Sequence, residues 1–246
     1  MINRLLLSLL LIIQASTQGG PATMGGPSRM GAVAGGGGGT LSGTFHNACG
    51  NTTGGASGTC SLAVTSGDLI IIEIGSNFTS NTFTVSDAVN TYSSIAGPDV
   101  NGSAYIAQMF RAIASTTVTL TITCTRAGGT TGAGSCEAIA ITPSATPTLD
   151  QHPVGGTFTT ATAFITGTTG ATATANEILI SCFGWAEINT GSNPVAGASW
   201  LNFSWSASTI SNTGCEWRNV TSTGTYQGTA TAALAETGVG HIATFQ

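Results

Sequence analysis

The densest β-branched run of the chain covers residues 67–75 and reads Gly-Asp-Leu-Ile-Ile-Ile-Glu-Ile-Gly. Turn-forming residues stand at both ends, so the run predicts a single strand. Apolar side chains on both faces indicate that both faces are covered, as in a central strand of a packed sheet. The run is far shorter than the roughly 20 apolar residues that span a membrane as a helix.

A weaker copy of this pattern, Asn-Glu-Ile-Leu-Ile-Ser-Cys-Phe, occupies residues 176–183. The alignment of the two segments places Ile70 with Leu179, and Glu73 with Cys182. Each segment is followed by short alternating runs, so the order of strands is predicted to repeat along the chain.

The alternating runs predict strands, and no helical periodicity follows the first residues. Asp87 and Asn90, after the run 83–86, predict a tight hairpin loop. The Thr/Ala-rich stretch 157–175 adds one or two edge strands. The other predicted strands are 104–112, 116–124, 136–142, 199–206, 214–220, 224–234 and 239–245.

These patterns predict an all-β fold, a two-sheet antiparallel sandwich of jelly-roll type with about ten to twelve strands from two pseudo-repeated halves. Two separate immunoglobulin-sized sandwiches are the alternative. One domain is preferred because each half offers only about five strands, below the usual seven of such modules.

The predicted domain organisation has three parts. Residues 1–15 form a signal peptide, with Arg4 before an apolar core and cleavage after Ala15. Residues 16–42 are a Gly-rich flexible linker. Residues 43–246 form a single β-sandwich domain, whose halves 43–145 and 157–246 are joined by a Pro-rich crossover. The signal predicts a secreted or cell-surface protein with no membrane span after signal removal.

Charged residues make up only 6% of the chain, the net charge is −5 and all basic residues are Arg. Nucleic-acid binding needs clustered Lys and Arg, and anionic membranes attract the same residues. The composition therefore argues against both partners. Gly, Thr, Ser and Ala dominate, which indicates a surface made soluble by hydroxyls and amides.

Six cysteines fit an oxidising compartment, in which disulfides persist. Among the connectivities that six cysteines allow, nearest-neighbour pairing is expected. It joins Cys49 to Cys60, Cys124 to Cys136 and Cys182 to Cys215. No Cys-x-x-Cys occurs and the histidines are far apart, so neither a metal site nor a cofactor is predicted.

Several segments together resemble the secreted bacterial β-sandwich repeats of surface and adhesin-like proteins. They are Gly-Asp-Leu-Ile-Ile-Ile at 67–72, Val-Ser-Asp-Ala-Val-Asn-Thr-Tyr at 85–92, Tyr-Ile-Ala-Gln-Met-Phe at 105–110, Thr-Val-Thr-Leu-Thr-Ile at 117–122 and Cys-Glu-Ala-Ile-Ala-Ile at 136–141. The resemblance covers roughly residues 60–246. It implies an extracellular sandwich, in some members adhesive or carbohydrate-binding, and it brings no catalytic residues.

Two carboxylates, Glu73 and Glu137, lie within apolar strands. A pair of carboxyl groups across an open cleft is the arrangement of a glycoside hydrolase. A buried Glu that is hydrogen-bonded to a Thr or to Arg111 is the alternative explanation. No Gly-x-Ser-x-Gly motif is present to indicate a serine nucleophile.

All four tryptophans lie in the second half. Alternation in 200–205 places Leu201, Phe203 and Trp205 on one face and Trp200 on the other. Trp200 is predicted to be the exposed ring because it follows Gly- and Ala-rich loop residues. A Trp ring beside polar side chains stacks on a sugar face. The candidate ligand-binding residues are Trp185, Glu187, Trp200, Asn202, Glu216 and Arg218. Alternatively, the tryptophans fill the end of the core, which is favoured because Trp is highly buried on average.

The sequence therefore predicts a secreted non-enzymatic β-sandwich for adhesion, surface display or carbohydrate binding, with a glycan or cell-surface partner. One alternative is a secreted glycan-cleaving hydrolase on a jelly-roll frame. The other is a structural surface subunit that assembles by edge-strand pairing, because long Thr-rich strands lack lysine gatekeepers.

Overall fold

The computed structural model describes residues 40–53, 56–128, 134–186, 191–206 and 211–246. These residues all belong to one compact unit, and none of them is in a helix. Within this part of the chain there is accordingly no helix that is long and apolar enough to cross a membrane. The predicted signal peptide and nearly all of the predicted linker lie outside the described residues.

The described residues form fifteen strands. The first eight are β1 (Gly43–Thr53), β2 (Ser57–Val64), β3 (Leu69–Ser76), β4 (Thr82–Ser86), β5 (Ser93–Asn101), β6 (Tyr105–Ile113), β7 (Val118–Ala127) and β8 (Gly134–Pro143). The others are β9 (Leu149–Gln151), β10 (Gly156–Thr168), β11 (Glu177–Ala186), β12 (Val195–Ala196), β13 (Leu201–Ser206), β14 (Asn212–Val220) and β15 (Gln227–Phe245).

The strands form three antiparallel sheets. The five-stranded sheet has the order β1-β8-β3-β6-β5, and the three-stranded sheet has the order β2-β7-β4. The seven-stranded sheet has the order β10-β15-β11-β14-β13, with β9 and β12 also paired to β15. The all-β antiparallel sandwich is confirmed, with three sheets where the sequence predicts two.

The two halves of the chain repeat one order of strands. The five strands of the five-stranded sheet can be ranked by their order along the chain. Across the sheet they then stand in the order first, fifth, second, fourth and third. The path β10-β15-β11-β14-β13 follows the same rule. The central strands β3 and β11 contain the two similar segments of the sequence, so the sequence pattern marks the middle of each sheet.

Strand β3 is buried along its whole length, as its apolar pattern predicts. Ile70, Ile72 and Ile74 share a core with Leu62 and Ile122 of the three-stranded sheet. Burial of each such side chain contributes roughly 2 kcal/mol by removing apolar surface from water. The opposite face of β3 points to the seven-stranded sheet.

A second core lies between the five-stranded and seven-stranded sheets. Leu69 and Ile71 of β3 belong to it, and so do Ile180 of β11 and Trp217 of β14. The five-stranded sheet is thus the middle layer, with both faces covered. This arrangement explains why β3 is apolar on both sides, since polar side chains on either face would lose water without gaining partners.

A third core covers the outer face of the seven-stranded sheet. The ring of Phe164 on β10 lies 5.2 Å from that of Trp185 and 6.0 Å from that of Phe183 on β11, although β10 and β11 are not neighbours in the sheet. The long strand β15 pairs with β10 and with β11. The sheet therefore curls over its own outer face and encloses these rings.

Three disulfides join the pairs that nearest-neighbour pairing predicts: Cys49 with Cys60, Cys124 with Cys136, and Cys182 with Cys215. The first two connect the five-stranded sheet to the three-stranded sheet, through β1–β2 and β8–β7. The third joins Cα partners on the neighbouring strands β11 and β14. Such crosslinks are typical of proteins that fold in an oxidising environment.

Two strand predictions are wrong in detail. β4 pairs with β7 and β5 pairs with β6, so the connection around Asp87 crosses between sheets and does not form a hairpin. Asp87 still organises the turn, because its carboxylate accepts hydrogen bonds from the backbone of Val89 and Asn90 and from the Tyr92 hydroxyl. The segments predicted as strands 224–234 and 239–245 form the single strand β15.

Candidate functional site

The tryptophans of the predicted sugar-binding platform are buried. Trp185 has no exposed surface and packs in the aromatic core beside Trp205, with ring centroids 5.9 Å apart. Trp200, predicted to be exposed, retains 6% of its surface and shares a core with Leu179 and Ile242. The prediction of an open Trp200 ring is therefore wrong, and the core-filling interpretation describes both side chains.

A bulge in β13 explains why alternation failed at Trp200. Asn202 is exposed and has a positive φ of 48°, and the pairing of β13 with β14 shifts between Leu201 and Ser204. The extra residue reverses which side chains point outward. Leu201, which alternation places on the same face as Trp205, is 49% exposed.

Glu216 and Arg218 lie close to Trp200 on the outer face of the seven-stranded sheet. The Arg218 guanidinium is 4.6 Å from the Trp200 ring centroid and 5.1 Å from that of Tyr226, so the cation fills the space over the indole. Glu216 is buried and accepts a hydrogen bond from the Gly197 amide, and burial raises its pKa to about 8. Glu187 lies outside the described residues.

The two strand carboxylates, Glu73 and Glu137, are Cα partners on β3 and β8. Both are sealed from solvent, with 0% and 1% exposure. Glu137 accepts a hydrogen bond from the Ser204 hydroxyl, and burial raises its pKa to about 8. The open cleft that a hydrolase would need between these carboxylates is therefore not present at this position.

The outer face of the three-stranded sheet is covered by hydroxyl side chains, and we call it the hydroxyl face. The cross-strand pairs place three residues of β2, four of β7 and three of β4 on this face. All are at least partly exposed, whereas the alternate residues point into the core. The members are Ser57, Thr59, Ser61, Thr82, Thr84, Ser86, Thr119, Thr121, Thr123 and Thr125.

The hydroxyl face is regular and carries no charged side chain. β2 pairs with β7, and β7 with β4, without a shift of register. Neighbouring strands of a sheet lie about 4.8 Å apart, and residues two apart along a strand about 6.8 Å, so the hydroxyls form a two-dimensional array. Among its described members only the Thr82 hydroxyl donates to a backbone carbonyl, at 3.3 Å from that of Ala127. The other hydroxyls are available to a partner.

A second group of polar side chains joins three distant parts of the chain. His241 on β15 is fully buried, with its Nδ1 atom 2.8 Å from Glu73 Oε1 and its Nε2 atom 3.1 Å from Asp99 Oδ2. The Gly155 amide also donates to Asp99 Oδ2, at 2.9 Å. A Cβ on Gly155 would lie 2.7 Å from that oxygen, so only glycine permits this approach.

Asp99 reaches the surface in a groove of about 300 Å³, which we call the Asp99 groove. The groove lies between β5 and the segment that precedes β10. The hydrogen bond from His241 lowers the pKa of Asp99, although partial burial opposes this change. An ionised carboxylate therefore stands at the floor of the groove at neutral pH.

Sequence reasoning did not bring His241 and Asp99 together. His241 sits in the apolar alternation of the last predicted strand, where its position faces the core, and an inward histidine is a signal for a buried polar partner. The aligned positions of Glu73 and Cys182 place both on the face between the two large sheets. Glu73 is therefore a candidate partner of His241 on sequence grounds, whereas Asp99 lies on β5, an edge strand with shifts of register, and has no such signal.

No group of three or more His, Cys, Asp or Glu side chains suited to a metal ion occurs in the part of the chain that the structure describes. In comparisons with known protein families, curated proteins and solved structures, the chain matches none of them.

Proposed function

We propose that the protein is a secreted, non-enzymatic adhesion module that binds an uncharged, hydroxyl-rich polymer such as a polysaccharide through its hydroxyl face. The observation that carries the proposal is the array of exposed Ser and Thr side chains on β2, β7 and β4. Hydroxyls both donate and accept hydrogen bonds, so they match the hydroxyls of a neutral glycan. The predicted signal and the disulfides support an extracellular site of action.

The absence of charge on the hydroxyl face favours a neutral partner over an ionic one. Charged groups that leave water on binding lose solvation free energy, whereas hydroxyls exchange hydrogen bonds with water for hydrogen bonds with the partner. Each such bond contributes little by itself. Affinity therefore requires many contacts in parallel, which a regular array supplies.

The alternative function, a structural subunit that assembles by pairing of edge strands, has less support than binding through the hydroxyl face. β5 and β10 are edge strands with shifts of register, and β13 contains a bulge. β4 is only five residues long. Bulged and short edges are poor templates for another strand. The edge of β2 lies beside β1, to which Cys49–Cys60 attaches it.

A sedimentation assay with microcrystalline cellulose, chitin and an insoluble β-glucan tests the proposal. We expect the oxidised chain to be retained on at least one of them and to be released poorly by salt, because no ion pairs are involved. Failure to bind any uncharged polysaccharide, or retention that salt abolishes, would contradict the proposal.

Thr123→Lys is the matched variant, because Thr123 lies on the central strand between Thr59 and Ser86. We expect retention to fall at least about tenfold, since the lysine removes a hydroxyl and introduces a strongly hydrated charge. Thr162→Lys is the control, because Thr162 is exposed on the edge strand β10, outside the hydroxyl face. Equal binding by both variants would exclude the hydroxyl face as the contact surface.

A further inference from the structure

The Asp99 groove has the charge and shape of a small-molecule site. We infer that it binds a primary alkylammonium group, from an aliphatic amine or from a lysine side chain of another molecule. The site lies outside the hydroxyl face, so this inference does not depend on the proposed function.

Asp99 presents a fixed acceptor to the groove. Its Oδ2 atom is held by the Gly155 amide at 2.9 Å and by His241 Nε2 at 3.1 Å. Its Oδ1 atom has no partner among the described residues, and the side chain is 25% exposed. An ionised carboxylate oxygen accepts hydrogen bonds and donates none, so a ligand must supply a donor.

Among the described residues, Asp99 has one basic partner, His241, and shares it with Glu73. His241 lies closer to Glu73, at 2.8 Å, than to Asp99, at 3.1 Å, so its positive charge is shared with a second carboxyl group. The chain contains no lysine and has a net charge of −5. The electrostatic field of the whole protein therefore attracts cations and repels anions.

The walls of the groove are mainly aliphatic. Ile95 and Pro98 form one side, and Pro153 and Val154 form the other, with His152 also in the lining. Val154 is 79% exposed, so a ligand would remove apolar surface from water. No Trp, Tyr or Phe is among the described lining residues, so a sugar ring would find no stacking surface here.

An ammonium on a short alkyl chain matches both features of the groove. The hydrogen bond from an ammonium to a carboxylate is charge-assisted and roughly twice as strong as a bond from a neutral hydroxyl. The alkyl chain would lie against Pro98 and Val154. Butylammonium has few atoms, and small ligands of this kind bind with millimolar affinity.

Nuclear magnetic resonance titration of the labelled, oxidised full chain tests the inference. We expect n-butylammonium to shift the amide signals of Val154 and Gly155 in a saturable way. Neutral n-butanol is expected to bind about tenfold more weakly, and n-butyrate not at all. Equal affinity for butanol and butylammonium, or no saturable shift with butylammonium, would overturn the inference.

Asp99→Asn keeps the shape of the side chain and removes its charge. We expect it to weaken butylammonium binding at least about tenfold, whereas Asp150→Asn, the control, leaves binding unchanged. Asp150 is a suitable control because its carboxylate accepts hydrogen bonds from Ala173 and Gln151 outside the groove. An equal loss in both variants would show unspecific charge attraction and overturn the site. If Asp99→Asn does not fold, the inference is tested by comparing the binding of n-butylammonium, n-butanol and n-butyrate to the wild-type protein.

The Val154→Ser variant with methylammonium tests the role of the aliphatic walls, and acetyl-lysine methylamide tests the source of the ammonium group. Val154→Ser is expected to weaken butylammonium binding and to leave methylammonium binding unchanged, because only the longer chain reaches the wall. An equal effect on both amines would overturn the role of the aliphatic walls. Acetyl-lysine methylamide distinguishes the sources: tighter binding than butylammonium indicates a lysine of a protein partner, and equal binding indicates a free amine.

Discussion

His241 connects Glu73 of the central strand with Asp99 of the edge strand. Both ring nitrogens face carboxyl oxygens, and an imidazole that donates from both nitrogens is protonated. Burial lowers the pKa of His241, but the negative charges of Glu73 and Asp99 outweigh it and raise the pKa to about 9, against an ordinary value of 6.5. The stabilisation by this proton is complete below pH 6.5 and is lost as the pH rises to about 9.

Ionisation of Glu137 also makes the folded protein less stable as the pH rises. Burial raises its pKa from 4.5 to about 8, so the folded protein loses stability as the pH rises through this range. We expect Glu137→Gln, which is neutral at every pH, to unfold near the wild-type temperature at about pH 5 and at least about 5 °C above it at about pH 9. Thermal unfolding followed by circular dichroism measures both differences.

Asp150→Asn is the control for this experiment, since its carboxylate is on the short strand β9 and is not sealed in the core. We expect its unfolding temperature to differ from the wild type by the same small amount at both pH values. A Glu137→Gln difference that does not change with pH would contradict the assigned ionisation.

The three-stranded sheet is the element that carries the hydroxyl face, and it is attached to the rest of the molecule in two ways. Its inner face shares the core with Ile70, Ile72 and Ile74 of β3. The disulfides Cys49–Cys60 and Cys124–Cys136 join β2 and β7 to the five-stranded sheet. The sheet is thus presented as a fixed layer, so its hydroxyls lose little conformational freedom on binding.

Removal of one disulfide should loosen this layer more than the rest of the molecule. We expect the double variant Cys49→Ala, Cys60→Ala to lose roughly 3 kcal/mol of unfolding free energy, because the crosslink restricts the unfolded chain. Hydrogen exchange should increase most in β2, β4 and β7, and less in β11 and β14, which lie in another sheet. Mass spectrometry of deuterated peptides resolves these strands.

The double variant Cys182→Ala, Cys215→Ala is the matched comparison, because its disulfide lies within the seven-stranded sheet. It should increase exchange most in β11 and β14. The same exchange pattern in both double variants would show that the sheets do not respond as separate elements.

The strands were predictable where the signal is local. β3 follows from its continuous apolar run between turn residues. β7 follows from alternation, which places its threonines on the outer face. Trp200 was not predictable, because a positive φ at Asn202 breaks the alternation. The contact of His241 with Asp99 depends on a register shift in β5 and on the curl of β15, which the sequence does not encode within any one segment.

At the scale of the whole molecule, two halves with the same order of strands share one core. Leu69, Ile71, Ile180 and Trp217 lie in the interface between the two large sheets. Each large sheet would expose these apolar side chains to water without the other. The two halves are therefore expected to unfold together in one transition.

Ile71→Ala tests this coupling, because Ile71 is fully buried between the sheets. A cavity at this position should cost about 3 kcal/mol and lower the unfolding temperature by roughly 6–12 °C. Scanning calorimetry should still show a single transition. Ile113→Ala, at an exposed position of the same sheet, is expected to change the temperature by less than about 2 °C. Two separate transitions in the wild type would show that the halves are independent.

The crosslink between Cys49 and Cys60 also determines how the molecule responds to mechanical tension. β1 is an edge strand held by β8 alone in its sheet, so a pull at Gly43 would break the backbone pairs one after another, beginning at Gly43 and Pro143. The disulfide stops this peeling at Cys49 and passes the load to β2. The three-stranded sheet would then bear force along its strands, where many hydrogen bonds must break at once.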